Sequence, residues 1–369
     1  MNEKPSILQA DAVELLKKLI ATPSFSKEED NSSALIKDFL LRHGIAAEQY
    51  LYNVWAKNKY FDASKPTILL NSHHDTVKPN KGYTLDPFSP VENDGKLSGL
   101  GSNDAGGSLV SLIAAFLYFY EKQNLKYNIV LAATAEEEIS GVNGIEALLN
   151  NEKFITGTNK PSQPPFGGWG SIVGEPTQMN MAIAEKGLMV LDCLATGRAG
   201  HAAREEGDNA LYKSLKDIEW FKNYRFDKVS DLLGPVKMSV TVIETDNKAH
   251  NVIPAHCRFV VDCRVNELYS FEEMLDIIKS NVQCEVKPRS TRLRSSSIAL
   301  NHPIVEAGLK LGRKHYGSPT TSDKALMPFP ALKMGPGDSA RSHAPDEFIY
   351  IDEIKEGIEL YIQLLNQLV

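Results

Sequence analysis

The sequence contains few cysteines, no long apolar run and no cluster of basic residues. Its four cysteines include no C-x-x-C pair, which excludes a zinc knuckle or a disulfide framework, and we expect them to be buried, reduced thiols. The most apolar helix candidate, residues 108–120, is shorter than the roughly 20 apolar residues that span a bilayer. A net charge of −7 argues against nucleic acid or membrane partners. With no signal-peptide pattern at the start, these features predict a soluble cytoplasmic protein.

The length of 369 residues predicts two domains, because a single hydrophobic core stops growing well below this size. Short, continuously apolar segments alternate with helical stretches, and they lie at residues 67–72, 128–138, 171–176 and 331–337. Unbroken apolar strands separated by helices are typical of a mostly parallel α/β sheet that is covered on both faces. We therefore predict an α/β domain of this kind, formed by residues 1–181 and 291–369.

Residues 182–290 have a different pattern. In HCRFVVDCRV (256–265), apolar residues and cysteines alternate with charged residues, which indicates a strand with one packed face and one wet face. Two further strands are predicted at 187–197 and 235–245, and two helices at 210–224 and 270–282. The segment is therefore predicted to be a smaller α+β domain inserted into the α/β domain.

Acidic and imidazole side chains follow the predicted strands of the α/β sheet. Each has an ordinary explanation when it is taken alone: a turn histidine is usually inert, an aspartate before a helix is usually an N-cap, and a run of glutamates is usually solvated. Together, at one edge of one sheet, these groups would repel one another without a cation between them. Carboxylate and imidazole are zinc ligands. The residues are His73, His74, Asp75, Asp104, Glu136, Glu137, Glu138, Glu175 and His343.

Motifs built around these residues resemble those of the M20 family of co-catalytic zinc metallopeptidases and deacylases. They occur in the family's order along nearly the whole chain: HHD (73–75), GLGSND (99–104), EEEISGVNG (136–144), VGEPT (173–177) and GPGDSARSH (335–343). The resemblance implies a catalytic domain with an inserted, ferredoxin-like lid or dimerisation domain. It also implies two zinc ions (with cobalt or manganese as possible substitutes) and a homodimer formed through the inserted domain.

The resemblance also implies the ligands of the two metals. His73 and Glu175 would bind the first metal, and Glu138 and His343 the second. Asp104 would bridge the two metals.

The neighbouring residues are assigned catalytic or supporting roles on the same grounds. Glu137 would be the general base, and Asp75 would orient His73 by a hydrogen bond. His74 occupies the variable position of the motif, and we expect it to be dispensable for metal binding.

The inserted segment resembles the family as well. His201 in GRAGHAA matches the histidine that reaches the partner subunit's active site and stabilises the oxyanion. Asn209, Asn251 and Arg264 occupy positions that resemble substrate-binding residues.

The implied function is that of a metal-dependent amidohydrolase that removes an N-acyl group from an amino acid, of the acetylornithine deacetylase type. Deacylation of N-succinylornithine, N-acetylcitrulline or succinyl-diaminopimelate is an alternative, and a family di- or tripeptidase is another. A non-catalytic metal-binding relative is disfavoured by the intact Glu137. A serine hydrolase is excluded because the sequence has no G-x-S-x-G motif.

Overall fold

The computed structural model describes residues 5–158, 170–204 and 206–369, which form two compact units. The main unit runs to Ile183 and continues in Ser297–Tyr316 and Ser322–Val369. The inserted unit comprises Ala184–Ser296 together with Gly317–Thr321. The predicted boundaries at residues 182 and 290 did not include the second, short segment of the inserted unit.

The helices and strands are numbered in chain order across both units. The helices are α1 (Pro5–Ile20), α2 (Asp30–Arg42), α3 (Gly107–Tyr120), α4 (Ile145–Asn150), α5 (Glu152–Thr158), α6 (Ala210–Asn223), α7 (Phe271–Asn281), α8 (Pro303–Lys310) and α9 (Ile351–Asn366). The strands are β1 (Glu48–Tyr50), β2 (Asn53–Lys57), β3 (Thr67–His73), β4 (Val91–Asn93), β5 (Lys96–Ser98), β6 (Asn128–Thr134), β7 (Gly170–Val173), β8 (Met181–Glu185), β9 (Gly187–Thr196), β10 (Gly200–His201), β11 (Lys237–Thr245), β12 (Val252–Ile253), β13 (His256–Val265), β14 (Glu285–Pro288), β15 (Ser296–Ser297), β16 (His315–Ser318), β17 (Ala331–Lys333) and β18 (Phe348–Tyr350).

The main unit is built on a mixed sheet whose central strands are parallel. The order is β1-β2-β6-β3-β7-β17-β8-β15, and β16 also pairs with β8. Strands β6, β3, β7 and β17 run parallel, whereas β1, β2 and β8 pair antiparallel with their neighbours. The predicted mostly parallel α/β sheet is confirmed. Its antiparallel edge strands are short or less apolar.

The apolar strand sequences follow from burial on both faces of this sheet. On β3, Ile68 and Leu70 pack into the larger core with α1, α3 and α9, whereas Leu69 packs into a second core with α4 on the opposite face. Every residue of β3 is buried. An alternating polar pattern would place polar side chains in one of the two cores, so residues 68–70 in the middle of the strand are all apolar and polar residues occupy only its two ends.

The inserted unit has the β-α-β-β-α-β arrangement of a ferredoxin-like fold. Its antiparallel sheet has the order β11-β13-β9-β14, and α6 and α7 supply the helices. On β13, Cys257, Phe259, Val261, Cys263 and Val265 are buried while the residues between them are more exposed, as the sequence alternation predicted. The predicted inserted α+β domain is therefore confirmed as a fold class.

A small ribbon joins β10 to β12 in the inserted unit, with His201 opposite Val252. The cysteines are all unpaired thiols. Cys193, Cys257 and Cys263 are buried, and Cys284 is half-buried. Across the described residues, no helix combines the length and apolarity that a membrane span requires.

Candidate metal site

The candidate site lies where the parallel strands of the main unit end. His73 is the last residue of β3, Glu137 follows β6, and Glu175 follows β7. Parallel neighbours share one carboxyl edge, so the three side chains meet there, as ligand sites do in open α/β sheets. Asp104 comes from the loop before α3, and His343 comes from the loop after β17.

The first group of potential ligands is His73, Asp104 and Glu175, whose ligand atoms lie within 4.8 Å of one another. The Nε2 atom of His73 lies 3.3 Å from Oδ1 of Asp104 and 3.8 Å from Oε1 of Glu175. His73 is buried, and its Nε2 atom has no hydrogen-bond partner. A buried ring nitrogen that faces two carboxylates fits a metal ligand.

The second group is Asp104, Glu138 and His343, also within 4.8 Å of one another. The Nε2 atom of His343 lies 3.0 Å from Oε2 of Glu138 and 3.7 Å from Oδ2 of Asp104. One carboxylate oxygen of Asp104 therefore faces each group, which is the arrangement of a bridging ligand. The structure thus brings together all five residues that were predicted to bind metal.

Glu137 lies beside the first group without belonging to it. Its Oε2 atom is 4.0 Å from Nε2 of His73. Burial raises the pKa of Glu137 well above its ordinary value, and the charge of Glu175 adds to this effect while His73 opposes it. A carboxylate with a raised pKa beside the ligands, but not among them, is suited to accept and return a proton.

The electrostatics of the cluster attract positive charge. Burial alone lowers the pKa of His73, but the carboxylates of Asp104 and Asp75 outweigh it and hold that pKa well above the usual range. The hydrogen bond from His343 to Glu138 raises the pKa of His343 to about 9. Burial raises the pKa of Glu138 in turn. These shifts show acidic groups packed without enough countercharge, so the cluster fits bound divalent cations.

Asp75 contacts the site through both its backbone and its side chain. The Nδ1–H of His73 donates to the main-chain oxygen of Asp75 at 3.0 Å, whereas the carboxylate lies at 3.4 Å. The carboxylate instead accepts the N–H groups of Glu137 at 3.0 Å and Glu138 at 3.2 Å, and the hydroxyl of Ser26 at 2.7 Å. Asp75 thus fixes the tautomer of His73 mainly through its backbone, and its side chain holds the two glutamates.

Both ring nitrogens of His74 are engaged by the protein. Nε2 lies 3.0 Å from the carbonyl oxygen of Tyr52, which can only accept, so Nε2 carries the proton. Nδ1 then accepts from the Ser32 hydroxyl at 2.9 Å. Burial lowers the pKa of His74 to about 4. No ring nitrogen is left to bind a metal.

The loop that carries Glu137 and Glu138 follows the end of β6, so its main-chain N–H groups have no neighbouring strand to pair with. They donate to side-chain oxygens instead. The N–H of Ala135 donates to Asn53 at 3.1 Å, and that of Glu136 donates to Glu29 at 3.0 Å. The next two N–H groups bind Asp75. Glu136 has a positive φ of 55° and points its carboxylate at the amide of Asn143, 2.8 Å away. Sequence reasoning missed Asn53 and Glu29, which belong to no motif.

A third missed residue, Glu347, holds the loop of Asp104. It is buried, and burial together with the charge of Asp104 raises its pKa to about 7. Its carboxylate accepts the Asp104 N–H at 2.8 Å. Asn103 joins this loop to the His343 loop through reciprocal hydrogen bonds with the Asp338 backbone, each of 3.0 Å.

The residues predicted in the inserted unit lie in three places. The main-chain oxygen of Asn251 accepts the Ala202 N–H at 2.9 Å, so Asn251 adjoins His201 at the β10–β12 ribbon. Asn209 caps α6 by accepting the Leu211 N–H at 3.0 Å. Arg264 lies at the far end of β13 and forms two hydrogen bonds to Asp262, of 2.8 and 3.0 Å.

The fold and the ligand set together define the class as a metal-dependent hydrolase with an α/β catalytic unit and an inserted ferredoxin-like unit. The model of "Peptidase family M20/M25/M40" matches residues 69–367, which is most of the chain. The protein belongs to this family.

Curated relatives match over nearly the full length. A succinyl-diaminopimelate desuccinylase of Rickettsia bellii (strain RML369-C) is 27% identical to this protein. The alignment is 384 residues long and covers 95% of each chain. An acetylornithine deacetylase of Proteus mirabilis (strain HI4320) is 28% identical, in an alignment that is 392 residues long and covers 96% of each chain.

Solved structures share the fold at low identity. A tripeptidase from Staphylococcus aureus superposes with a TM-score of 0.74 at 16% identity and covers 97% of both chains. The YXEP protein of Bacillus subtilis, described as a dinuclear metal binding peptidase from the M20 family, has a TM-score of 0.71 at 14% identity over 98% of both chains.

Proposed function

We propose that this protein is an N-acyl-amino-acid amidohydrolase that uses two zinc ions. The observation that carries the proposal is the pair of ligand groups that share Asp104, with Glu137 beside them. Two-metal hydrolases hold their ions about 3.5–4 Å apart across a bridging group. A single carboxylate that faces two separate sets of ligands suits that spacing.

The metal ligands would be His73 and Glu175 for one ion, Glu138 and His343 for the other, and Asp104 for both. When bound, such ions polarise an amide carbonyl and lower the pKa of water toward about 7. Cobalt or manganese has the same preference for these nitrogen and oxygen ligands and is a possible substitute.

Glu137 handles the proton in this proposal. Its carboxylate takes a proton from the attacking water as the oxygen bonds to the acyl carbon. It then gives that proton to the amine nitrogen as the carbon–nitrogen bond breaks. The products are a carboxylic acid and a free amine, and transfer of the acid's proton to the amine gives carboxylate and ammonium. The hydrogen bonds from the Glu137 and Glu138 N–H groups to Asp75 hold the loop in position during both transfers.

For the substrate, we propose the N-acyl derivative of a diamino acid. The names of the curated relatives support this class, since acetylornithine and succinyl-diaminopimelate are both diamino acids with an acylated nitrogen. Deacetylation of acetylornithine would place the enzyme in arginine biosynthesis. Removal of a succinyl group is the alternative within the same class.

A substrate panel tests this proposal. The metal-loaded enzyme should be assayed with N-acetylornithine, N-acetylcitrulline, N-succinylornithine, N-succinyl-diaminopimelate and simple dipeptides, with release of the free amine as the readout. We expect hydrolysis of an N-acyl diamino acid at a kcat/KM well above that for any dipeptide. Preference for a dipeptide would contradict the proposal and indicate a family peptidase.

We further propose that the protein is a homodimer formed through the inserted unit. Strand β11 lies at one edge of the inserted sheet and exposes Val242 and Ile243, each 45% exposed. Helix α6, which contacts β11, exposes Tyr212 and Leu215. A long edge strand flanked by exposed apolar side chains suits pairing with a second copy.

In this dimer, His201 would stabilise the oxyanion in the partner's active site. Its Nδ1 accepts the N–H of Ala203 at 3.1 Å, so a neutral ring carries its proton on Nε2. An exposed Nε2–H is the donor that a developing oxyanion requires.

Mixed dimers test the role of His201. Coexpressed His201→Ala and Glu137→Gln chains should recover activity that neither variant has alone, because one hybrid site contains both groups. The control is His201→Ala coexpressed with the His201→Ala, Glu137→Gln double variant, which should stay inactive. Hybrids that show no recovery would contradict action across a dimer.

A further inference from the structure

Glu347 lies outside both ligand groups, yet it is bound to the loop that carries their shared member. It precedes β18, and its side chain is only 2% exposed. It is four residues after His343 in the sequence, so one short segment carries a residue of the second ligand group and also contacts the loop of Asp104.

Glu347 binds the Asp104 loop at several points. One carboxylate oxygen accepts the N–H of Asn103 and the N–H of Asp104, each at 2.8 Å. The other oxygen accepts the N–H of Gly101 at 3.0 Å. The main-chain oxygen of Glu347 accepts the N–H of Gly99 at 2.9 Å. Without the carboxylate, three N–H groups of this loop would lose their acceptor, and buried N–H groups without partners are costly.

We propose that Glu347 is a positioning residue for Asp104 and thereby sets the affinity of both metal sites. Asp104 is the only residue present in both of the ligand groups found in the described chain. Its two oxygens lie 3.3 Å from Nε2 of His73 and 3.7 Å from Nε2 of His343. A shift of the Asp104 backbone therefore moves a ligand of both metals at once.

A carboxylate is required at this position because three donors converge on two oxygens. The amide of glutamine has one oxygen and would turn an NH2 group toward one of the donors, so at least one hydrogen bond becomes a contact between two donors. Substituting a residue that hydrogen-bonds to a metal ligand, without itself binding the metal, typically weakens metal binding about 10–100-fold. This proposal rests on the metal site of the proposed function, but not on its substrate.

The test measures metal affinity in the absence of substrate. Chelator-treated wild type and Glu347→Gln should be titrated with Zn²⁺ and with Co²⁺ by calorimetry, with the thermal stability of the metal-free forms measured in parallel. We expect the Kd of both sites to rise about 10–100-fold in Glu347→Gln. Excess metal should restore kcat, with KM unchanged. An unchanged Kd, or weakening of one site alone, would overturn the proposal.

Asp217→Asn is the matched control. Asp217 is also a buried carboxylate that accepts main-chain N–H groups, from Gln283 at 3.0 Å and Cys284 at 2.9 Å, but it lies in the inserted unit. Its substitution should lower stability and leave metal Kd unchanged. Equal metal loss in both variants would show a general structural effect and overturn the specific role of Glu347.

A further variant distinguishes the effect of the negative charge of Glu347 from the effect of its side-chain length. Glu347→Asp keeps the charge but is one methylene shorter, and we expect a Kd between those of wild type and Glu347→Gln. A Kd weaker than that of Glu347→Gln would contradict the hydrogen-bond argument. Wild-type protein that binds metal but hydrolyses no panel substrate would overturn the proposed function and leave this inference intact.

Discussion

In the main unit, the predicted site residues face one another, whereas in the inserted unit most of them are engaged by near neighbours in the sequence. The Nε2 atom of His73 is buried among carboxylates without a hydrogen-bond partner. Asn209, by contrast, caps its own helix, and Arg264 pairs with Asp262 two residues away. One region concentrates charge that its own groups do not balance. The other satisfies its polar groups locally.

This difference separates two kinds of inference. A buried cluster of acidic groups, in which the pKa values of Glu137 and Glu138 are raised, is costly unless a cation balances its charge, so it points to a function. A polar side chain with a local partner is explained by that partner, and its functional role depends on other observations. The experiments below test this contrast, beginning with the largest expected effect.

Glu137→Gln should lower kcat by about 10²–10⁴-fold, the usual contribution of general acid–base catalysis. The amide has nearly the same shape but cannot accept the proton of the attacking water. Metal content should stay at the wild-type level, because Glu137 belongs to neither ligand group. Steady-state kinetics with metal analysis measures both quantities. An active variant would remove Glu137 as the base, and a metal-free one would make it a ligand.

Substituting the adjacent histidines one at a time should have opposite consequences. His73→Ala removes a proposed metal ligand, and we expect metal Kd to rise by more than about 100-fold, beyond the effect of residues that only support ligands. His74→Gln should leave Kd unchanged and cost about 1–3 kcal/mol of unfolding free energy, since Ser32 and Tyr52 lose buried partners. If His74→Gln emptied the site while His73→Ala did not, the ligand assignment would be wrong by one residue.

The sequence was sufficient to predict the parts of the structure that follow from periodicity. Continuous apolar strands imply a parallel sheet covered on both faces, and parallel strands place their final residues at one edge. That reasoning places His73, Glu137 and Glu175 at the same edge of the sheet. The alternation in residues 256–265 likewise predicted the packed face of β13.

Tertiary hydrogen bonds could not be predicted in this way. Glu347 and Asp104 are 243 residues apart, and Glu29 and Glu136 are 107 apart, with no periodic pattern to connect them. The two roles of Asp75 also depend on the fold, since its backbone and its carboxylate face different partners. Sequence motifs mark groups that perform chemistry better than they mark groups that hold such residues in place.

Removing metal should destabilise the main unit selectively. Metal at 100 times its Kd contributes about 2.7 kcal/mol to the stability of the state that binds it, and a chelator withdraws this contribution. Hydrogen exchange of β3 and β6 should then accelerate, while β9 and β13 of the inserted unit should keep their protection. Mass spectrometry of peptides from both units measures this. Equal acceleration in both would contradict a metal site confined to the main unit.

Asn209→Ala should produce the smallest effect, about 1 kcal/mol of lost unfolding free energy, because α6 loses its N-cap. Asn209→Ser is the control, since its hydroxyl can accept the same Leu211 N–H and should restore most of the stability in urea unfolding. The serine variant also separates the cap from the predicted contact with substrate. With the cap retained, a raised KM would identify that contact, and an unchanged KM would leave Asn209 with a structural role alone.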